Sequence, residues 1–248
     1  MNSLYSGSVY ENKNNNPFKY NPDEAIRLLK EAGYNKRNSD GWLIHDVTGK
    51  VLSFEIVIQK TSAYMVTPVQ QMLKEYGMDM QIKFMDYNTM IKNVNARNFN
   101  VCMLAYSGLV YPNPEGSLRS TLADQNDNNN VWGFKSEKVD ELLDEYDKCF
   151  DQERRIEIIQ EIDGIFCDVH PIAFSIARNY SRMMWWDKFD YPDWMLSRYV
   201  GEFWDAFYYW WYDEEKNQVL EESIKSGKAL TIKPIDMKYW PTYLVNNL

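Results

Sequence analysis

A chain of 248 residues, 45% of them hydrophobic, is long enough to bury one large core or two smaller ones. Its 36 acidic and 27 basic side chains leave a net charge of -9 with no basic run to track a phosphate backbone, which argues against nucleic acid as a partner. No apolar stretch reaches the ~18 residues that cross a bilayer, and Met1-Asn2-Ser3-Leu4 has neither the basic start nor the apolar stretch of an export signal, so the chain is expected to be cytoplasmic or to lack its front end.

Through Asn16 the sequence is rich in Asn and Ser, with Asn14-Asn15-Asn16 ahead of Pro17, and residues 1–19 read as a lead-in segment without a core pattern. Order is expected to begin near Tyr20. Asn21 then suits an N-cap, Pro22 the first helical position and Glu24 a capping box, while Ala25, Leu28, Leu29 and Ala32 form an apolar stripe that ends at Gly33. After the turn at Asp40-Gly41-Trp42, residues 51–58 place Leu52, Phe54, Ile56 and Ile58 on alternate positions, the period of a strand. A helix is predicted within 62–76, with Thr67 and Pro68 as one possible start and Gly77 as its stop. A second strand over 78–84, a helix capped by Asp86 and running to about Ala96, and a third strand over 100–106 follow. Strands separated by helices imply parallel pairing.

Beyond a loop over 107–134, a helix over 136–148 carries Val139, Leu142, Leu143 and Tyr146 on one side. A second, over 152–169 and capped by Asp151, carries Ile156, Ile159, Ile162, Phe166 and Val169. Pro171 closes it, and 172–177 reads as a short apolar strand returning to the sheet. From 179 to 212 the chain is aromatic with weak periodicity, and seven of the nine tryptophans, Trp185, Trp186, Trp194, Trp204, Trp210, Trp211 and Trp240, lie after position 180. A helical piece then runs from Asp213 through Ser226 into a polar tail.

In a parallel α/β sheet, ligands bind beyond the carboxyl ends of the strands, which directs attention to Tyr106, Ser107, Gly108 and the loop that follows. Within that loop Arg119 is suited either to a ligand carboxylate or phosphate or to a structural ion pair. Asn130 offers an amide to a ligand backbone, and Trp132 either stacks on a ligand or fills the core. His45 and His170, the only histidines, have no metal-ligand spacing. Cys102 falls inside a predicted strand, whereas Cys149 and Cys167 sit near opposite ends of one predicted helix, at least roughly 20 Å apart at ~1.5 Å per residue. They are therefore expected not to pair with each other, and all three read as packed thiols. The acid pairs Glu214-Glu215 and Glu221-Glu222 sit in a solvated helical segment. No catalytic residue, cofactor or metal is expected.

Several phrases fall in an order that resembles one family. Asn21-Pro22-Asp23-Glu24-Ala25 with Leu28-Leu29, Ala32-Gly33-Tyr34 and Asp40-Gly41-Trp42 comes first. Next come Gln70-Gln71-Met72-Leu73 with Tyr76-Gly77-Met78, then Asn98-Phe99-Asn100-Val101, then Trp132-Gly133 before Ser136 with Val139-Asp140 and Leu142-Leu143. Together they resemble the C-terminal lobe of the extracellular solute-binding proteins of family 5, the oligopeptide and dipeptide carriers. Trp185-Trp186-Asp187-Lys188-Phe189 and Trp210-Trp211-Tyr212-Asp213 are most similar to the subgroup associated with microcin C-type peptides.

The resemblance implies an α/β, type II periplasmic-binding-protein-like lobe over 20–178, with a largely parallel sheet flanked by helices. An aromatic return segment and tail over 179–248 would head toward an N-terminal lobe encoded upstream. Peptide or peptide-like solute captured between the lobes would be handed to an ABC transporter permease, in the periplasm or elsewhere outside the cytoplasm, with no covalent chemistry. The loop departs from the family pattern: no acid that would meet a peptide amine stands at Tyr106-Ser107-Gly108, and Asn113 stands where many relatives place Asp. The competing expectation is an aromatic carbohydrate-binding module of the cell envelope, whose sign would be coplanar tryptophans on an exposed face.

Overall fold

The computed structural model describes residues 2–16, 19–105, 111–176, 180, 182–196, 203–233, 236–240 and 242. The chain divides into two units, residues 1–106 with 112–176 and residues 107–111 with 177–248.

In the first unit, Asn21 Oδ1 accepts the Glu24 N–H at 3.1 Å and starts α1 (Pro22–Glu31). The Glu24 carboxylate turns forward onto Arg27, so only the N-cap half of the expected capping box forms. The apolar stripe of α1 is not covered within the unit: the helix buries no residue, and Leu28 is 49% exposed. β1 (Lys36–Arg37) and β2 (Leu43–Ile44) form a small antiparallel pair around Gly41. The alternating segment becomes β3 (Ser53–Ile58), followed by α2 (Ala63–Glu75), β4 (Asp79–Phe84), α3 (Tyr87–Asn95) and β5 (Val101–Cys102). α2 starts ahead of Pro68 and runs through it; the carbonyl that loses its donor there is that of Tyr64, a residue 75% exposed to water.

The three strands pair in parallel in the order β4-β3-β5, with Ser53 opposite Asp79, Ile58 opposite Phe84, and Val57 opposite Cys102. Period-2 alternation then sends neighbouring side chains of β3 to opposite faces. Ile58 packs with Val66 and Met80 on the α2 side, and Val57 packs with Met90 and Val94 on the α3 side. This makes three layers, helix on sheet on helix. β5 is shorter than the predicted 100–106: the ladder continues past Cys102 through one bond, from Met103 N to Val57 O.

The largest core lies in the helical half, built by α4 (Glu115–Leu118), α5 (Glu137–Lys148) and α6 (Gln152–Asp168). Asp151 caps α6 as predicted, and Ser136, expected as the first residue of its helix, is the N-cap of α5. Val139, Leu142, Leu143 and Tyr146 are buried against Ile158, Ile159, Ile162 and Phe166. Two details of the α6 stripe are corrected: Val169 is 63% exposed, and the polar Asp163 is completely buried.

The cause is the opening segment, which is ordered and packed, contrary to the expectation that order begins near Tyr20. Tyr10 enters the core at 6% exposure, and the Asp163 carboxylate accepts Leu4 N at 3.0 Å, Asn15 Nδ2 at 2.9 Å and Asn12 N at 3.4 Å. Asn12 Nδ2 donates to Gln160 O at 2.8 Å, directly over Gly164, where an added Cβ would stand 2.8 Å from that nitrogen. The predicted return strand over 172–177 is also corrected. Residues 171–176 join no ladder, because His170 turns the chain with φ 57°, Pro171 has no N–H to give, and β5 offers only two residues of edge. Residue 177 lies outside the described residues.

In the second unit, β6 (Phe189–Asp190) and β7 (Trp211–Tyr212) pair antiparallel, and Asp213 caps α7 (Glu214–Ser226) by accepting Lys216 N at 2.9 Å. Gly227, with φ 70°, ends the helix at the predicted place. Trp185, Tyr191 and Trp210 cluster with centroids 4.9 to 5.8 Å apart, and Trp210 Nε1 donates to Met195 O at 2.8 Å.

Candidate functional site

β3 and β4 end side by side, and Met85 N donates to Ile58 O at 3.0 Å, so the two carboxyl ends are locked in register one residue past the ladder. There they diverge: the chain after β3 turns through Gln59 into a 3-10 turn over Lys60–Ser62, and the chain after β4 enters α3. The gap is an open cleft of about 440 Å³ lined by Gln59, Lys60, Thr61, Phe84, Met85, Asp86 and Tyr87. It occupies the place where the physics of parallel sheets sets ligands, with strand ends and a helix start converging on it.

Its chemistry is mixed. Phe84 and Tyr87 are 53% and 59% exposed, which offers two aromatic rings to a ligand at the rim of the sheet. Asp86 Oδ1 accepts Thr89 N at 3.0 Å as the N-cap of α3. The Thr89 hydroxyl and amide hold its carboxyl below the usual carboxylate range, so it is ionised at neutral pH and set against the positive end of the helix. The Lys60 ammonium has no hydrogen-bond or ion-pair partner among the described residues.

The residues singled out in the sequence lie elsewhere or are engaged internally. Tyr106, Ser107 and Gly108 fall outside the described residues. Asn113 is exposed and accepts Glu115 N at 3.2 Å, a local turn contact. Arg119 takes the structural of its two readings: Nε and Nη2 grip both oxygens of Glu115 at 2.7 and 2.6 Å, while Nη2 also reaches Asp144 at 2.8 Å and Nη1 the Asp140 carbonyl at 3.1 Å. The Glu115 carboxylate, with Asp144 adding to it, raises the arginine's affinity for its proton.

Asn130 is completely buried. Its Nδ2 donates to Phe134 O at 2.9 Å and Arg119 O at 3.2 Å, and its Oδ1 accepts Phe134 N at 2.9 Å, which leaves no surface for a ligand. Trp132 packs edge-on against Phe166 at 5.0 Å, the core reading. Arg97, at φ 54° past the end of α3, donates to the carbonyls of Asn130 and Gln125 and ties this loop to the sheet half. The structure thus brings Arg119, Asn130 and Trp132 together as a loop scaffold. The cleft residues Lys60, Phe84, Asp86 and Tyr87 escaped the sequence reading, although the rule applied to the end of the third strand applies equally to the ends of the first two.

Three of the late tryptophans, Trp185, Trp194 and Trp210, meet aromatic neighbours at steep angles. Trp185 and Trp210 meet at 62° and Trp194 and Tyr209 at 78°, edge-to-face geometry that closes the rings on one another.

The family model described as bacterial extracellular solute-binding proteins, family 5, middle, matches residues 1–129. The uncharacterized protein YejA of Escherichia coli K12 is 23% identical over 207 residues, 83% of this chain and 33% of its own. The probable peptide-binding protein YejA of Agrobacterium fabrum C58 is 24% identical over 191 residues, 76% of this chain and 30% of its own. Among solved structures, the oligopeptide-binding protein AppA of Bacillus subtilis, in complex with a nonapeptide, superposes with a TM-score of 0.58 at 22% identity, covering 66% of this chain and 33% of that one. The chain spans about a third of the length of the curated relatives it matches.

Proposed function

Because the chain belongs to the bacterial extracellular solute-binding proteins of family 5, we propose that it supplies one wall of a carrier that captures peptides or peptide-like solutes for import through an ABC transporter. The observation that carries this reading is the cleft at the carboxyl ends of β3 and β4, where Phe84 and Tyr87 stand exposed beside Lys60. A peptide backbone offers donors and acceptors along its length, and its side chains fill apolar recesses; aromatic rings beside strand ends and a polar turn suit both needs. On chain order alone, the loop after β5, with Tyr106, Ser107, Gly108 and Asn113, supplies further contacts.

In this reading an N-terminal lobe of the same parent protein closes over the ligand, outside the cytoplasm, and a permease recognises the closed form. The unit of residues 1–106 with 112–176, its opening segment included, serves as the lobe proper, and the stretch from 179 on leads back toward its partner. Closure stabilised by a ligand that touches both walls needs no covalent step. The family is one of solute-binding proteins, which accords with a carrier rather than an enzyme.

One wall alone binds weakly, so the test is a titration that detects millimolar affinity: short peptides added to the labelled chain, followed through the backbone amide NMR signals. Peptides are expected to move the amides of Gln59, Lys60, Thr61, Met85, Asp86 and Tyr87. Oligosaccharides that instead move the tryptophan indole signals, with peptides inert, would replace this reading by that of a glycan-binding module.

A further inference from the structure

The cleft holds one basic and one acidic side chain, and their situations differ. Asp86 is answered from within the protein: Thr89 donates to it, and the start of α3 offsets its charge. Lys60, exposed on the opposite lip, is answered by no group among the described residues. Among the described residues of the same unit Lys83 pairs with Glu55 at 3.0 Å and Lys135 with Asp124 at 2.7 Å, whereas Lys30, Lys50, Lys74 and Lys92 have no ion pair either; what sets Lys60 apart is its place in the cleft beside the strand ends. The cleft is formally neutral, but its anion is satisfied by the start of α3 while its cation stands open beside two exposed rings, on a chain whose overall charge is -9.

We infer that Lys60 is a specificity-determining residue that makes this cleft prefer peptides carrying an acidic side chain next to an aromatic or apolar one. This rests on the reading of the cleft as a ligand wall. Two electrostatic effects compete. The overall negative charge repels an anionic ligand, but at physiological salt it is screened beyond ~8 Å, whereas a carboxylate in contact with the Lys60 ammonium is hardly screened. Contact wins at short range. An exposed ion pair is weak, and a ring wall on one side lowers the local dielectric, so a preference of about threefold in affinity is expected. Phe84 and Tyr87 supply the neighbouring apolar contact, which fixes the order of side chains on the ligand rather than its charge alone.

The test compares Ala-Glu-Tyr-Ala with its isosteric twin Ala-Gln-Tyr-Ala, both with free termini, titrated into the 248-residue chain with the amides of Lys60, Thr61 and Tyr87 as reporters. The acidic peptide is expected to bind about threefold more tightly, and the preference is expected to vanish in Lys60→Ala and reverse in Lys60→Glu. Both variants alter an exposed side chain, and unchanged circular dichroism identifies them as folded. Equal binding of the twins, or a preference that survives in Lys60→Ala, overturns the role of Lys60 and leaves the carrier reading standing. Cleft amides that respond to neither peptide overturn both.

Discussion

Replacing Asn130 by alanine tests whether the 112–134 loop is scaffold or binding site. The substitution removes three hydrogen bonds, two of them to the main chain of Phe134, which is 5% exposed and surrounded by protein. Each bond is worth ~1 kcal/mol net, and the N–H and C=O of Phe134 left without partners add ~1–3 kcal/mol more, for a total of about 4–6 kcal/mol. At ~2–4 °C per kcal/mol for a chain of this size, the melting temperature should fall by roughly 10 °C. Urea unfolding followed by circular dichroism reads the energy, and hydrogen exchange at the Phe134 amide reads the bond itself. Asn130→Asp sharpens the argument, since it keeps the acceptor for Phe134 N–H but sets a buried carboxyl against two carbonyl oxygens. That carboxyl has its folded pKa raised, so the variant is most stable below the unfolded value of about 3.9 and loses stability as pH rises through the folded one. A loss below ~1 kcal/mol in Asn130→Ala, with protection at Phe134 unchanged, would refute the clamp and return Asn130 to the candidate ligand contacts.

Asp163→Asn should loosen the opening segment, because the new amide turns donors toward Asn12 N and Asn15 Nδ2; a cost of about 2 kcal/mol is expected, with faster hydrogen exchange at Leu4 and Asn12 but not along α5. Equal exchange in both proteins would deny the carboxylate this role. Burial pushes the Cys102 thiol up to about 11, and burial with Asp163 beside it pushes Cys167 up to about 12. At pH 8 both should alkylate more than a hundredfold more slowly than an ordinary thiol near 8.5, and unfolding in urea should restore the rate. Because these folded values are raised, their contribution to stability is complete below about pH 8.5 and is lost as pH climbs through 11 to 12. Melting temperatures that stay flat from neutral pH to about pH 10 would contradict that assignment.

What was legible in the sequence follows from how far apart the interacting residues are. The alternation Leu52, Phe54, Ile56, Ile58 and the caps Asn21, Asp86 and Asp151 act within a few residues, and the elements they predict are present. Parallel pairing followed from the helices between strands, a constraint of chain geometry. The opening segment was misread because its partner is 150 positions away: Asn12 and Asn15 look like linker residues until Asp163 supplies the acceptor. Asp163 in turn looks like a polar interruption between Ile162 and Phe166, and only the folded segment explains its burial. The return strand failed for the opposite reason. Its apolar pattern was sound, but a strand forms only where an edge stands open to receive it, and two residues of β5 give little ladder.

The same distinction separates the loop from the cleft. Arg119 and Asn130 carry the groups that recognise carboxylates and peptide amides, and from sequence that chemistry alone recommends them. In the fold every strong donor they own already meets a protein acceptor, Glu115, Asp144 and Asp140 for the arginine, Phe134 and Arg119 carbonyls for the asparagine. A ligand would have to displace those bonds and leave buried groups without partners, at a cost larger than one new contact returns. Phe84, Tyr87 and Lys60 make the weaker case on residue type, since aromatics at strand ends and lysines in turns are common. Yet two of them stand more than half exposed, and the third has its donors open at the place where the parallel strands end. A binding wall needs chemistry that the fold leaves unanswered, and within the described part of this unit that condition singles out the β3–β4 cleft over the loop.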